Sequence, residues 1–344
     1  MVSPKAAKEA GDKFGLKPVC AGPYKFVERV QQDRIVVEKF ADYWNKDQVF
    51  VDKVTYLPIS DATVRLANLR SGALDMIERV LATDIKTVRE DNRLKLSKAV
   101  SLGWYGLLVN INNGPKSDNP LGKDARVRRA FDLAIDREAL NQVVYNGEFV
   151  PGNQWVNPQN FYYQQKFPVP KRDIAKAKAL LKEAGVTGRI PIDFMVTNTP
   201  ETRQVAEVVQ SMVAEAGFDL RLRVTEVATS LKEGESGNFQ LYMNTWSGRI
   251  DPDGNSVIYQ MCGAPQNMGH YCDKEVDALH EQARAVSDPA QRKAIYEKLA
   301  EKFLAEGWIL YLYHPQYLIA HTNKVDGFKP MPDGLLRVTG VKLK

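Results

Sequence analysis

The sequence predicts an α/β protein built from two lobes, each with its own mixed sheet. The chain has 344 residues, a length that allows about two domains. Residues 190–224 alternate as strand, helix and strand, an arrangement that forms a right-handed crossover between parallel strands. A loop is predicted at 113–120, and we predict that the chain crosses between the lobes there and again near 314–320.

The first lobe is predicted from short apolar runs separated by polar turns. Asp61 is a suitable cap for a helix that ends near Gly72. Strands are expected at 24–27, 35–37, 54–57, 74–77 and 104–111, and a second short helix at 82–89.

The second lobe shows stronger helical periodicity. Asp124 is expected to cap a helix that places Val127, Phe131 and Ala134 on one face. Further helices are predicted at 173–184, 199–213, 274–285 and 289–305, with strands at 190–196, 220–224 and 308–313. The strand at 308–313 is expected to lead back to the first lobe.

The segment from Asn244 to Asn255 is the most informative loop. It follows an apolar strand and combines an aromatic residue, an arginine, two aspartates and two glycines. Small residues and a large aromatic side chain after a strand are typical of the mouth of a ligand cleft. An ordinary polar turn between a strand and a helix explains the same composition.

The run from Trp246 to Asp253 resembles the W-[ST]-G-x-x-D-P-D segment of the cluster C solute-binding proteins that serve ABC importers. Further matches follow the order found in that family: Gly22-Pro23-Tyr24, Phe40 to Trp44, Arg70-Ser71-Gly72 with Asp75, Val127 to Ala130, Ala134 to Arg137, and Ala175 to Gly185. The resemblance covers nearly the whole chain.

The resemblance implies a type II periplasmic-binding-protein-like fold whose lobes are joined by a hinge. The first lobe would comprise residues 1–114 with 319–344, and the second would comprise 115–318. Members of the family carry further residues before the part that matches Val2 to Gly15. The resemblance therefore implies that the first lobe is incomplete at the amino terminus, and a separate chain that supplies the missing lobe is one open alternative.

By resemblance, the chain is expected to capture a peptide-like or other small solute in an interlobe cleft and deliver it to ABC permease subunits. It would work in the periplasm or another extracytoplasmic compartment, without catalysis, cofactor, metal or nucleic acid. Two other hypotheses stay open: a truncated interaction or chaperone-like module that no longer binds solute, and, more remotely, an extracellular hydrolase.

Five predicted ligand-binding residues lie in this loop. In the family, the position of Trp246 places an aromatic ring along the ligand, although a core tryptophan is an alternative. Backbone groups of Ser247 and Gly248 are expected to bond a ligand main chain. Asp251 is expected to hold the loop's shape or cap the next helix.

Arg249 departs from the family pattern, because peptide-binding members carry an aspartate there that pairs with the ligand's amino terminus. A fixed cation favours an anionic solute or a blocked peptide. The alternative is that Arg249 forms a salt bridge with Asp251 or Asp253 and meets no ligand.

Two further pairs are predicted to face the cleft from the lobe crossings. Asn110 and Asn112 follow the strand that enters the first crossing, and Tyr313 and His314 lie at the second. The alternative is that both pairs form hydrogen bonds with backbone groups at a hinge and do not contact a ligand. His270 and His280 are interpreted as surface residues.

Cysteine usage and the missing catalytic motifs bear on the compartment and the function class. Cys262 and Cys272 are separated by a loop that can fold back, so a disulfide is favoured over a metal pair, and Cys20 is expected to be buried. The segment starting at Asp251 departs from a calcium loop at Ser256 and Cys262. Neither a nucleophile elbow, a phosphate-binding loop nor a zinc-protease motif is present in the sequence.

Overall fold

The structure, a computed structural model, describes residues Met1–Lys344. The strands are β1 (Tyr24–Val30), β2 (Arg34–Lys39), β3 (Lys53–Tyr56), β4 (Met76–Ile77), β5 (Leu94–Val100), β6 (Trp104–Val109), β7 (Val150–Pro151), β8 (Ile190–Thr197), β9 (Phe218–Thr225), β10 (Leu241–Trp246), β11 (Ile309–His314), β12 (Gln316–Thr322), β13 (Val325–Asp326) and β14 (Lys342–Leu343).

The helices are α1 (Pro4–Ala10), α2 (Ala62–Ser71), α3 (Ile85–Glu90), α4 (Pro120–Lys123), α5 (Ala125–Ala134), α6 (Arg137–Tyr145), α7 (Ile174–Glu183), α8 (Pro200–Ala214), α9 (Val227–Glu235), α10 (Asp253–Gln260), α11 (Lys274–Ala285) and α12 (Pro289–Glu306). None of them is long and apolar enough to cross a membrane.

The chain folds into two compact units, and their boundaries differ from those predicted. The first unit comprises Met1–Ala99 with Tyr317–Lys344, and the second comprises Val100–Gln316. Residues 100–114 belong to the second unit because β6 pairs with β10 and β11. Strand β11 likewise stays in this sheet, and the chain leaves the unit only after β11 ends.

The second unit is organised by a six-stranded mixed sheet with the order β7-β11-β6-β10-β8-β9. Strands β8 and β9 are parallel over their whole length, and α8 connects them, which confirms the predicted strand–helix–strand unit. Thr199 caps α8 through its side chain, and Pro200 occupies the first helical position, where a missing N–H costs nothing.

Apolar side chains cover both faces of this sheet. One face packs against α5 and α8 through residues such as Phe131, Phe194 and Val209. The other face packs against α11 and α12 through Trp104 and Phe303, among others. Both clusters are fully buried at their centres, so the six strands form a rigid platform whose ends carry the loops.

The first unit contains a three-stranded sheet of order β1-β2-β3 that lacks a comparable core. Within residues 1–60, the only buried side chains are Val36 and Val49. The register places one set of apolar side chains on a single face of the sheet: Tyr24, Phe26, Ile35, Val37, Val54 and Tyr56. We call this set the open face, because Tyr56 is exposed and the other members are only half-buried.

Candidate functional site

One end of the six-stranded sheet brings together several of the predicted site residues. Trp246 at the end of β10 pairs with Trp104 at the start of β6, and Tyr105 pairs with Tyr313 near the end of β11. Because β8 runs parallel to β10, its carboxyl end at Thr197 lies at the same edge. We call this the Trp246 edge. Carboxyl ends of strands are a common location for ligand sites in α/β sheets.

Asn110 and Asn112 lie at the opposite end of the sheet, which corrects the predicted grouping. Strand β6 has six residues, so at about 3.4 Å per residue its two ends lie about 17 Å apart. The Asn110 side chain is buried and donates to the carbonyls of Asn113, Gly237 and Phe239 at 2.9–3.0 Å. Asn110 therefore ties backbone segments together, whereas Asn112 is exposed.

Tyr313 and His314 lie at the Trp246 edge, but their side chains are buried behind it. The hydroxyl oxygens of Tyr313 and Tyr145 are 2.7 Å apart, and the Tyr313 ring stacks on Tyr105. His314 Nδ1 donates to the Gly103 carbonyl at 2.7 Å, and a Cβ at Gly152 would lie 2.6 Å from its ring. These contacts support the strands and leave neither side chain facing solvent.

Trp246 is half-buried and is fixed through its indole nitrogen. Its Nε1 donates to Asn255 Oδ1 at 3.0 Å and to the Gly254 carbonyl at 3.2 Å. The ring also packs edge-on against Tyr259. The side chain is thus held in one orientation while part of its surface stays accessible, as an aromatic ligand platform requires.

Asn255 closes the loop by bonding both backbone groups of Arg249. Its Oδ1 accepts the Arg249 N–H at 2.6 Å, and its Nδ2 donates to the Arg249 carbonyl at 3.0 Å. Gly248 permits this turn because its φ is +84° and a Cβ there would lie 2.1 Å from the Leu102 carbonyl carbon. The loop geometry therefore depends on one buried amide and one glycine.

Arg249 lies over Trp246, with the guanidinium carbon 4.6 Å from the ring centroid. Its Nη1 donates to the Gly248 carbonyl at 2.7 Å and lies 3.5 Å from the hydroxyl of Ser247. The side chains of Arg249 and Ser247 are exposed, whereas Gly248 is buried. The guanidinium is exposed, so it is accessible to an anion.

The two aspartates of the loop are paired with arginines of distant helices. Asp251 accepts two bonds from Arg292 at 2.7 and 2.8 Å, and Asp253 accepts from Arg284 at 2.9 and 3.3 Å. The bonds from Arg292 hold the pKa of Asp251 below its ordinary value. The expected alternative, a salt bridge from Arg249 to either aspartate, is not the arrangement in the structure.

Sequence reasoning missed Arg284, Arg292 and Asn255 as determinants of this site. Arg284 and Arg292 lie 31 and 41 residues from their partners and carry no local motif. Asn255 belongs to the loop singled out in the sequence, but its spacing to Arg249 did not predict that its side chain would hydrogen-bond the Arg249 backbone. The bidentate Asp251–Arg292 pair also assigns Asp251 a positioning role.

The cysteines and acidic residues give no metal centre. Cys262 and Cys272 form a disulfide, the pair that the sequence analysis singled out. Cys20 is exposed, contrary to the expectation that it is buried. The structure contains no group of three or more His, Cys, Asp or Glu side chains arranged to hold a metal ion.

Residues 1–269 match the family model described as bacterial extracellular solute-binding proteins, family 5 middle. The chain belongs to this family. It is 27% identical over 346 residues to the glutathione-binding protein GsiB of Pectobacterium atrosepticum, a match that covers 97% of this chain and 66% of GsiB. The chain therefore spans slightly less than two thirds of the length of this curated relative, which is named as a binding protein and not as an enzyme.

Two solved structures share the fold. The ABC transporter-associated periplasmic binding protein DppA from Helicobacter pylori, in complex with peptide STSA, is 25% identical with a TM-score of 0.83, covering 100% of this chain and 68% of DppA. AppA from Clostridium difficile, a putative peptide-binding protein, is 20% identical with a TM-score of 0.86, covering 99% of this chain and 72% of AppA. The likeness to AppA supports the fold alone.

Buried histidines make the stability of the fold dependent on pH. His280 is fully buried beside Gln260, which corrects its interpretation as a surface residue. Burial lowers the pKa of His280 to about 4 and that of His314 to about 4. The unfolded chain therefore binds protons at these sites at a pH where the folded chain does not.

We predict that the free energy of unfolding keeps its highest value above the ordinary histidine pKa of about 6.5. It should fall as the pH drops from there towards about 4. Each buried histidine contributes a slope of up to about 1.4 kcal/mol per pH unit. Urea unfolding at several pH values measures this slope, and His280→Gln should make it shallower. His270→Gln, at an exposed site, is the control, and an equal effect of both variants would contradict the assignment.

Proposed function

We propose that the chain is the solute-binding component of an ABC importer and that it captures a small, peptide-like, anionic solute at the Trp246 edge. The observation that carries this proposal is the position of Arg249, an exposed cation stacked on Trp246 while the neighbouring aspartates are neutralised by other arginines. The aromatic surface supplies contact area, and the guanidinium supplies a directional donor for a carboxylate or phosphate.

The ligands named for two relatives fit the proposed solute class. GsiB is named for glutathione and DppA is in complex with a peptide, and both ligands carry peptide bonds and carboxylates. Family membership and the disulfide support work in the periplasm or another oxidising, extracytoplasmic compartment. Delivery to ABC permease subunits is part of the same proposal.

Replacing Arg249 should remove capture of the anion while leaving the fold intact. We expect glutathione or peptide STSA to raise the melting temperature of the native chain, because a ligand that binds only the folded state stabilises it. Arg249→Ala should weaken binding about ten- to a hundredfold, the loss expected for one charge-assisted hydrogen-bonded contact. Thermal shift followed by calorimetric titration measures both effects.

Arg189→Ala is the matched control, because Arg189 is exposed and precedes β8 at the opposite edge of the sheet. It should leave ligand binding unchanged. Equal effects of the two variants would contradict a site at Arg249. The absence of a thermal shift with any peptide, glutathione or other anionic solute would instead favour the interaction or chaperone-like module.

We further propose that a separate polypeptide covers the open face of the β1-β2-β3 sheet. An antiparallel sheet normally buries one apolar face, and here no member of the apolar set is buried.

The segment of GsiB without a counterpart in this chain is a suitable test partner. We expect it to associate with the chain in sedimentation experiments and Ile35→Glu to abolish association. Thr55→Glu, on the opposite face, should not.

A further inference from the structure

Helix α9 turns apolar side chains to solvent. Val227 and Leu231 are 54% and 41% exposed. They lie four residues apart, so they share one face of the helix. Val224, near the end of β9 and just before the helix, is also exposed. We call these three side chains the α9 stripe.

The packing of α9 against the sheet fixes this orientation. The inner face of the helix carries Ser230 and Gly234, which are both buried. The Tyr242 hydroxyl on β10 donates to Ser230 Oγ at 3.1 Å, and a Cβ at Gly234 would lie 2.6 Å from the Met268 sulfur. Because only small residues fit against the sheet here, rotation of the helix cannot bury the α9 stripe.

Two opposite charges stand at the ends of the helical part of the stripe. Glu226 is the N-cap residue of α9, and Lys232 directly follows Leu231. Both side chains are exposed, and neither forms an ion pair within the chain. The carboxylate of Glu226 lies 3.5 Å from the Asn198 amide nitrogen, a distance at which a hydrogen bond is weak. Both charges are therefore available to a partner.

The order of these residues along α9 is self-complementary. An acidic residue and Val227 precede Thr229, and Leu231 and a basic residue follow it at the same spacings. A two-fold axis at Thr229 would run two copies of α9 antiparallel. Val227 of one copy would then lie opposite Leu231 of the other, and Glu226 opposite Lys232. Each contact occurs twice, as in every isologous interface.

We propose that the chain forms a two-fold symmetric dimer in which the α9 stripes of two copies cover each other. Association removes the apolar side chains from water and converts four exposed charges into two intermolecular ion pairs. The helix is about 14 Å long at about 1.5 Å per residue, so the contact is small and the dimer is weak. The contact uses no residue of the Asn244–Asn255 loop and is independent of solute capture.

Sedimentation equilibrium of the chain, from micromolar to millimolar concentration, tests the dimer. We expect a reversible monomer–dimer equilibrium. Leu231→Asp should weaken association at least about tenfold, because it places a charge in the apolar contact. Val143→Asp is the matched control, since Val143 is 58% exposed on α6 of the same unit. It should leave association unchanged.

Charge exchange tests the antiparallel pairing. Glu226→Lys and Lys232→Glu each place like charges opposite each other in a symmetric dimer, so each variant alone should associate about tenfold more weakly. An equimolar mixture of the two variants should recover association, because the mixed dimer restores both opposite-charge pairs. Glu138→Lys, at an exposed position of α6, should have no effect.

A native chain that stays monomeric at millimolar concentration rejects the dimer. Equal weakening by Leu231→Asp and Val143→Asp rejects α9 as its interface. If the charge variants associate like the native chain, or if their mixture does not recover association, the two-fold pairing is wrong. Recovery in the mixture also excludes misfolding as the cause of the weakening, because two unfolded variants cannot rebuild the contact.

Discussion

The ion pair between Asp251 and Arg292 is the interaction on which the candidate site depends. Together with the Asp253–Arg284 pair, it removes the two nearest carboxylates from competition for Arg249. These pairs join the loop to α12 and α11, which are anchored in the buried cluster on one face of the sheet. The loop thus presents one cation without an internal counter-charge, and electrostatic preference for an anion follows from that arrangement.

The sheet register explains why the remaining groups meet at one place. Pairing of Trp246 with Trp104, and of Tyr105 with Tyr313, aligns the ends of three strands. Parallel pairing of β8 with β10 adds the start of α8 to the same edge. A rigid platform of six strands therefore holds the Trp246 ring and the Arg249 guanidinium beside each other, which lowers the entropic cost of ordering them around a ligand.

Local patterns predicted much of the fold and the loop, and long-range pairing decided the rest. The strand–helix–strand unit and the capping residues Asp61 and Asp124 follow from periodicity and side-chain chemistry within a few residues. The grouping of Asn110 with Trp246 was wrong because both lie near strand ends, and only the antiparallel register shows which ends coincide. The burial of His280 likewise depends on α10 packing beside α11, for which the sequence carries no local signal.

The measurement that tests the central claim most directly is ligand affinity in Arg292→Gln and in the double variant Arg292→Gln with Asp251→Asn. Loss of Arg292 frees Asp251 to compete for Arg249, so we expect calorimetric titration to show affinity weakened about tenfold. Removing the charge of Asp251 in the double variant should restore it. Unchanged affinity in Arg292→Gln, or no recovery in the double variant, would contradict the account.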